Sequence, residues 1–208
     1  VKFVSLSDDG IKHFADERNC TSHIMNQIKD NYFEGIVTAN DKVILDIGSN
    51  IGLFALHFTP YAERIICVEP TPSHMKIQKE ILSGTICEFE EAALSNHTGV
   101  TSFTLCEDNT TMNSLKYTTG KHIAVDALTL EDLCKKYSLF NVDFCKIDIE
   151  QSEWVAITEE TLQPVFEIIN KVFVEVHPPE RRDEMKIIFE QVGYKVEYCK
   201  HDGLLCTK

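Results

Sequence analysis

The 208-residue sequence has no run of uncharged apolar residues near the roughly 20 that a membrane-spanning helix needs, and Val1 to Gly10 lacks the basic-then-apolar pattern of a secretory leader. It has no cluster of Lys and Arg either. The 33 Asp and Glu outweigh 20 Lys and Arg, giving a net charge of −13, so neither nucleic acid nor a membrane is expected as partner. Eight cysteines are present, none in a C-x-x-C pair, which argues against a zinc site. Several sit in apolar strand-like runs such as Ile65-Ile66-Cys67-Val68, where a reduced thiol behaves as a small hydrophobe. Free thiols without a leader suggest a soluble, cytoplasmic chain. No internal repeat, low-complexity tract or linker calls for a second domain, and 43% apolar residues suffice for one full core.

What is present alternates. Val43 to Ile47, Arg64 to Val68, Val142 to Ile147 and Lys171 to Val174 read as buried parallel strands. Between them lie helical patterns, such as Ile51, Phe54, Ala55 and Phe58, or Met185, Ile188, Phe189 and Val192 ending at Gly193. Thr71-Pro72 looks like a helix start and Thr129 with Asp132 like a capping box. The alternation predicts a doubly wound α/β sheet with helices on both faces. Two regions depart from it. Val100 to Leu105 and His122 to Val125 suggest an inserted hairpin, joined by the polar stretch Glu107 to Thr111, that walls the site. Asp202-Gly203 between Tyr194 to Cys199 and Leu204 to Thr207 marks a C-terminal hairpin that closes the sheet with an antiparallel edge. Residues 1–40, with Thr21-Ser22 before Ile24, Met25 and Ile28, are expected to form a helical segment packed on the domain of residues 41–208.

The most informative segment is Asp46-Ile47-Gly48-Ser49-Asn50-Ile51-Gly52, at the end of the first strand. Backbone that must approach a ligand needs small or left-handed residues at 48, 50 and 52, and Asn tolerates that conformation. The spacing is not G-x-G-x-x-G, which weakens a nicotinamide reading. Glu69, closing the second strand, suits the two hydroxyls of a ribose in either a dinucleotide or an adenosine-type cofactor. Asp46 discriminates between them: a carboxylate there repels a pyrophosphate but suits an ammonium and a sulfonium, and S-adenosylmethionine carries both. Taken singly, Asp46 reads equally well as a helix cap and Glu69 as a solvated strand end.

Those two segments, followed by Lys146-Ile147-Asp148-Ile149-Glu150 and Val174-Glu175-Val176-His177, resemble the successive motifs of the FkbM-type methyltransferases over about residues 42 to 178. The resemblance implies a Rossmann-like class I methyltransferase fold with a mostly parallel seven-stranded sheet. It also implies S-adenosylmethionine as cofactor and methyl transfer to a hydroxyl of a small acceptor, a sugar or polyketide-type metabolite. On the matching positions it places the cofactor against Asp46, Gly48, Ser49, Asn50, Gly52, Glu69, Pro70 and Asp148, with Glu91 and Ala92 at the adenine edge. Gln151 stands where the family usually has Gly.

Residues two apart at a strand end point the same way, so Asp148 with Glu150 and Glu175 with His177 are expected to converge as the catalytic group. An alcohol acceptor must lose a proton, and His177 is the favoured base because an ordinary imidazole titrates near neutrality. It suits equally a structural hydrogen bond before Pro178-Pro179. Three carboxylates and an imidazole also suit Mg²⁺ or Mn²⁺, but nothing in the spacing demands a metal and none is assigned. Glu150 and Glu153 also read as favouring a helix N-terminus, Trp154 as core more than as a stacking platform, and Asn113-Ser114 as reaching the cofactor or acceptor or, as polar hairpin residues usually are, as solvated. The rivals are a methyltransferase acting on a nitrogen or a macromolecule, a catalytically silent cofactor-binding partner subunit, and a nucleotide-binding oxidoreductase. An Asn-Pro-Pro-Tyr or Asp-Pro-Pro-Tyr motif, which would favour nitrogen, is missing at the fourth strand. Acceptor identity and oligomeric state are not legible.

Overall fold

A computed structural model describes residues 33, 35–106, 113–116, 120–200 and 202–208. The described chain runs β1 (Val43–Ile47), α1 (Leu53–Phe58), β2 (Arg64–Val68), α2 (Pro72–Ile81), β3 (Cys87–Glu90), β4 (Ala92–Leu94), β5 (Gly99–Leu105), β6 (Lys121–Leu128) and α3 (Leu130–Lys136). It continues through β7 (Phe144–Ile147), α4 (Glu153–Ala156), α5 (Glu159–Leu162), β8 (Lys171–Glu175), α6 (Arg182–Val192), β9 (Lys195–Tyr198) and β10 (Gly203–Thr207).

The strands form a seven-stranded sheet in the order β3-β2-β1-β7-β8-β10-β9. The first five are parallel, and β10 runs antiparallel to both its neighbours. The α/β fold expected from the alternation is therefore present. The C-terminal hairpin closes the sheet with an antiparallel edge as expected, its second strand lying inside its first. Burial explains this: β10 is mostly buried, whereas the exposed, charged β9 suits an edge.

Central strands are buried on both faces, as strands covered by helices on each side must be. Ile44, Ile65, Phe144 and Phe173 pack with Phe54 and Phe58 of α1. Leu45, Ile66, Cys145 and Val172 pack instead with Leu133, Leu162 and Phe189 of α3, α5 and α6. Phe33 joins the α1 side, 4.9 Å centroid to centroid from Phe54. The strand order reverses at β1, between β2 and β7, and such a switch point opens a crevice at the carboxyl ends of the strands.

The insertion is a separate sheet, β4-β6-β5. Its β5–β6 hairpin runs in register from Gly99↔Ala127 to Leu105↔Lys121, as expected, while β4 adds an unforeseen parallel strand beside β6. Its core is small, Ala93, Phe103 and Val125. Helix starts fall as expected, with differences in the capping. Thr71 precedes α2 without capping it through its side chain. Thr129 accepts from the Asp132 amide at 3.1 Å, but the Asp132 carboxylate turns to the Thr98 hydroxyl, so only half of a capping box forms. All seven described cysteines are free. No described helix is long and apolar enough to cross a membrane. The expected helix at 21–28 and the polar stretch 107–111 lie outside the described residues.

Candidate active site

After β1 the chain turns through Gly48, Asn50 and Gly52, with φ values of +75, +51 and +85. A side chain at 48 would collide with the Asp148 carbonyl oxygen, so glycine lets the ends of β1 and β7 close on one another. Asn50 supports its own left-handed backbone, its Oδ1 accepting the Ile51 amide at 2.7 Å. Gln78 of α2 braces the turn from behind, donating from Nε2 to Ser49 Oγ at 2.6 Å and to the Asn50 carbonyl at 2.9 Å. Ser49 and Gly52 thus serve the turn's packing and do not line the cavity above it.

That cavity measures about 410 Å³, within the usual range for a small-molecule site. Gly48, Asn50, Glu69 and Pro70 line one end. Asp148, Glu150, Glu175 and His177 line the other, so the structure brings together the four residues expected to converge. The insertion supplies an apolar wall, with Ala92, Ala93, Leu94, Phe103 and Leu115 facing in. Of the adenine-edge pair only Ala92 lines the cavity. Glu91 is half-exposed and faces Lys79 at 3.7 Å.

Glu69 is almost fully buried and well supplied with donors. Its Oε2 accepts the Asn50 amide at 3.0 Å, its Oε1 accepts the Thr71 amide at 2.9 Å, and His74 Nδ1 lies 3.5 Å away. Burial alone would raise its pKa, but the contacts from His74 and Thr71 outweigh burial and hold it below the ordinary glutamate value.

The acidic end is arranged differently. His177 Nδ1 lies 3.4 Å from Glu153 Oε1, and Nε2 lies 3.6 Å from Glu175 Oε1. Burial works against charge on the ring, but Glu153, Glu175, Asp148 and Glu150 together push its pKa up to about 11. In place of an ordinary imidazole, this arrangement favours the charged form of the His177 ring, which has no lone pair to accept a proton. Glu150 is raised to about 8 by burial and by Asp148, against the opposing charge of His177. Trp154 packs on the core and also donates from Nε1 to the His177 carbonyl at 2.6 Å, with the Arg181 guanidinium 3.6 Å above its ring. Glu153 is wholly buried, and its Oε1 accepts the Ile149 amide at 2.9 Å.

Asp46 lies beneath the cavity, fully buried, and does not line it. Burial pushes its pKa up to about 6; Lys146 opposes the rise, and Asp148 and Glu69 add to it. Asp148, Glu175 and His177 offer atoms within 4.8 Å of one another, a spacing that admits a divalent cation. Asp148 is already paired with Lys146 at 3.1 Å and His177 with two glutamates, so we assign no metal.

Sequence reasoning left Asn113 open between the cavity and a solvated hairpin, and missed Ser152. Asn113 is buried, lines the cavity and donates from Nδ2 to Thr71 Oγ1 at 3.2 Å. Ser152 Oγ meets Ser114 Oγ at 3.0 Å and accepts the Leu115 amide at 3.0 Å. Their only local signal is small polar residues flanking a hairpin and a helix start.

The structure is similar to that of a precorrin-6y C5,15-methyltransferase from Geobacter metallireducens, at 12% identity and a TM-score of 0.53, covering 88% of this chain and 89% of that one. It is also similar to the fibrillarin pre-rRNA processing protein of Methanococcus jannaschii, at 13% identity and a TM-score of 0.50, covering 82% of this chain and 67% of that one. WbdD matches with a TM-score of 0.52 at 12% identity over 91% of this chain, which spans 40% of that protein. At such identities the likeness concerns the fold alone. No curated protein matches the sequence closely. The sequence does match the family described as the methyltransferase FkbM domain over residues 46–196, beyond the motif resemblance and into β9. A match that begins at the carboxylate under the glycine turn and ends in the C-terminal hairpin covers well over half of the sequence, and the chain belongs to the FkbM methyltransferase family.

Proposed function

We propose that the protein is an S-adenosylmethionine-dependent O-methyltransferase acting on a small hydroxylated acceptor, a sugar or polyketide-type metabolite. The observation that carries this reading is the polarity of the cavity. One end offers Glu69 beside a glycine turn, the wall is apolar, and the far end is acidic. Those three surfaces suit the ribose, the adenine and the cationic methionine part of the cofactor respectively. The cofactor, when bound, supplies the methyl group on its sulfonium. Glu69 receives the ribose hydroxyls, Ala92 and Phe103 face the base, and Asp148 faces the ammonium or sulfonium end. Asp46, Ser49 and Gly52 act from behind by shaping the turn and its charge.

Glu150 is the proton acceptor we favour, because a carboxyl raised toward neutrality can both take and release a proton at working pH. A positive charge placed beside Asp148 lowers the proton affinity of Glu150 and readies it as a base. His177, pinned between Glu153 and Glu175, orients the latter and offsets part of the acidic charge. The test is a thermal shift followed by an acceptor screen. S-adenosylhomocysteine should raise the melting temperature and NADH should not. Hydroxylated sugars and small metabolites should then release S-adenosylhomocysteine from the donor on turnover. Stabilisation by NADH alone would overturn the cofactor, and turnover of amines alone would favour the nitrogen acceptor.

A further inference from the structure

Lys146 stands in the middle of the sheet, in a strand whose other residues are Phe144, Cys145 and Ile147. It is 5% exposed and does not line the cavity. In the parallel register β1–β7 it is the direct partner of Asp46. Its Nζ lies 3.1 Å from Asp148 Oδ2 and 3.9 Å from Asp46 Oδ1, and 5.9 Å from the centroid of Phe54 in α1. Burying an ammonium costs several kcal/mol, and an apolar side chain would satisfy Phe54 as well. Every charge facing it is acidic: Asp46 from β1, Asp148 after β7 and Glu175 from β8. Neither carboxylate oxygen of Asp46 has a hydrogen-bond partner of normal geometry among the described residues; the Ala55 amide acts on it from α1, and it faces Asp148 and Glu69 besides Lys146.

We propose that Lys146 is a positioning residue of the methyl-donor site: its ammonium, bridging Asp46 and Asp148 under the cavity floor, holds the Asp148 carboxylate turned toward a cationic ligand. The inference rests on the functional reading above. Without Lys146, the buried Asp46 and the partly exposed Asp148 become facing carboxylates with no cation between them, and such a pair retains a proton more readily. Ligand binding would then fail at a pH where the intact site still works. In the wild type the corresponding acid limb should lie near pH 6, where Asp46 titrates; Glu150 is raised to about 8 and Glu69 is held low, so neither confuses the limb.

The experiment is S-adenosylhomocysteine affinity by calorimetry from pH 5 to 7.5 for the wild type, Lys146→Met and Lys146→Arg. Lys146→Met should move the acid limb up by about one pH unit or more, weakening binding roughly threefold at pH 6.5 and close to tenfold at pH 5. Lys146→Arg should keep the wild-type limb. A uniform loss across pH, or an unmoved limb, means a structural role and overturns the proposal. If Lys146→Met does not fold, Asp46→Asn decides: the limb near pH 6 must shift below pH 5, and its persistence overturns the proposal. A wild type that does not bind S-adenosylhomocysteine at pH 7.5 overturns the functional reading and this inference together, whereas binding with an unmoved limb overturns this inference alone.

Discussion

Glu69 and Glu150 line the same cavity and are both mostly buried, yet their acidities move in opposite directions. Glu69 is met by two backbone amides and a histidine. No described residue donates a hydrogen bond to the Glu150 carboxylate, which sits among Asp148, Glu153 and Glu175 with His177 opposing them. Desolvation is common to both, so the donors decide the sign. Glu69 thus keeps a fixed negative charge, whereas the charge of Glu150 is unsettled near neutrality.

The two ends touch at Gly48, where a change should break both at once. Gly48→Val forces a side chain into the Asp148 carbonyl at a left-handed φ, and should cost about 3–4 kcal/mol in urea denaturation. A loss under about 1 kcal/mol would mean the strand ends can part freely.

Glu69→Ala should follow, leaving the Asn50 and Thr71 amides without an acceptor at about 1–3 kcal/mol each, together with loss of S-adenosylhomocysteine binding. Because its pKa is held below the ordinary value, the stability Glu69 adds is present above about pH 4.5 and disappears as pH falls through the lowered value. The variant should therefore show a flatter acid limb in its melting temperature than the wild type.

Glu150 should behave oppositely. Its raised pKa means that the folded protein keeps a proton the unfolded chain has lost, so this stability is full below about pH 4.5 and is lost as pH rises through about 8. Glu150→Gln should raise the melting temperature at pH 9 by about 2–4 °C and change little at pH 5, while slowing single-turnover methylation about 10²-fold or more. Equal melting shifts at both pH values would remove the contrast. The smallest effect is expected beside it. Gln151 holds φ +69 without being glycine, so Gln151→Gly should stabilise by about 0.5 kcal/mol by relieving left-handed backbone.

Which parts can be read from the sequence follows from how local their causes are. The central strands and the turn at 48–52 are legible because alternation and left-handed backbone are properties of a few neighbouring residues. β4 is not, since Ala92-Ala93-Leu94 is too short to show a period and gains its partner only when Asp126 to Leu128 come alongside. Lys146 reads as a polar intrusion in a strand until the β1–β7 register sets it opposite Asp46. His177 is visible as a site residue, but its charge depends on Glu153, a residue whose position suggests only a helix start. Glu91 and Ala92 differ for a simpler reason: adjacent residues at a strand boundary face opposite ways, so only one can meet the cavity.

The bonds from Asn113 to Thr71 and from Ser114 and Leu115 to Ser152 tie the insertion to the loops at both ends of the cavity. They are neutral contacts between small side chains, worth about 1 kcal/mol apiece, over a sheet whose own core is three residues. The roof is thus a unit of low local stability resting on a floor of high stability, and the two should exchange hydrogen at very different rates. In native-state exchange the Leu115 amide should open well before the Gly48 amide, which donates to the Val68 carbonyl at 3.0 Å. Ligand traffic would then be a matter of fraying a few hydroxyl contacts, with a residence time tunable at Ser152 without touching a group that meets the methyl.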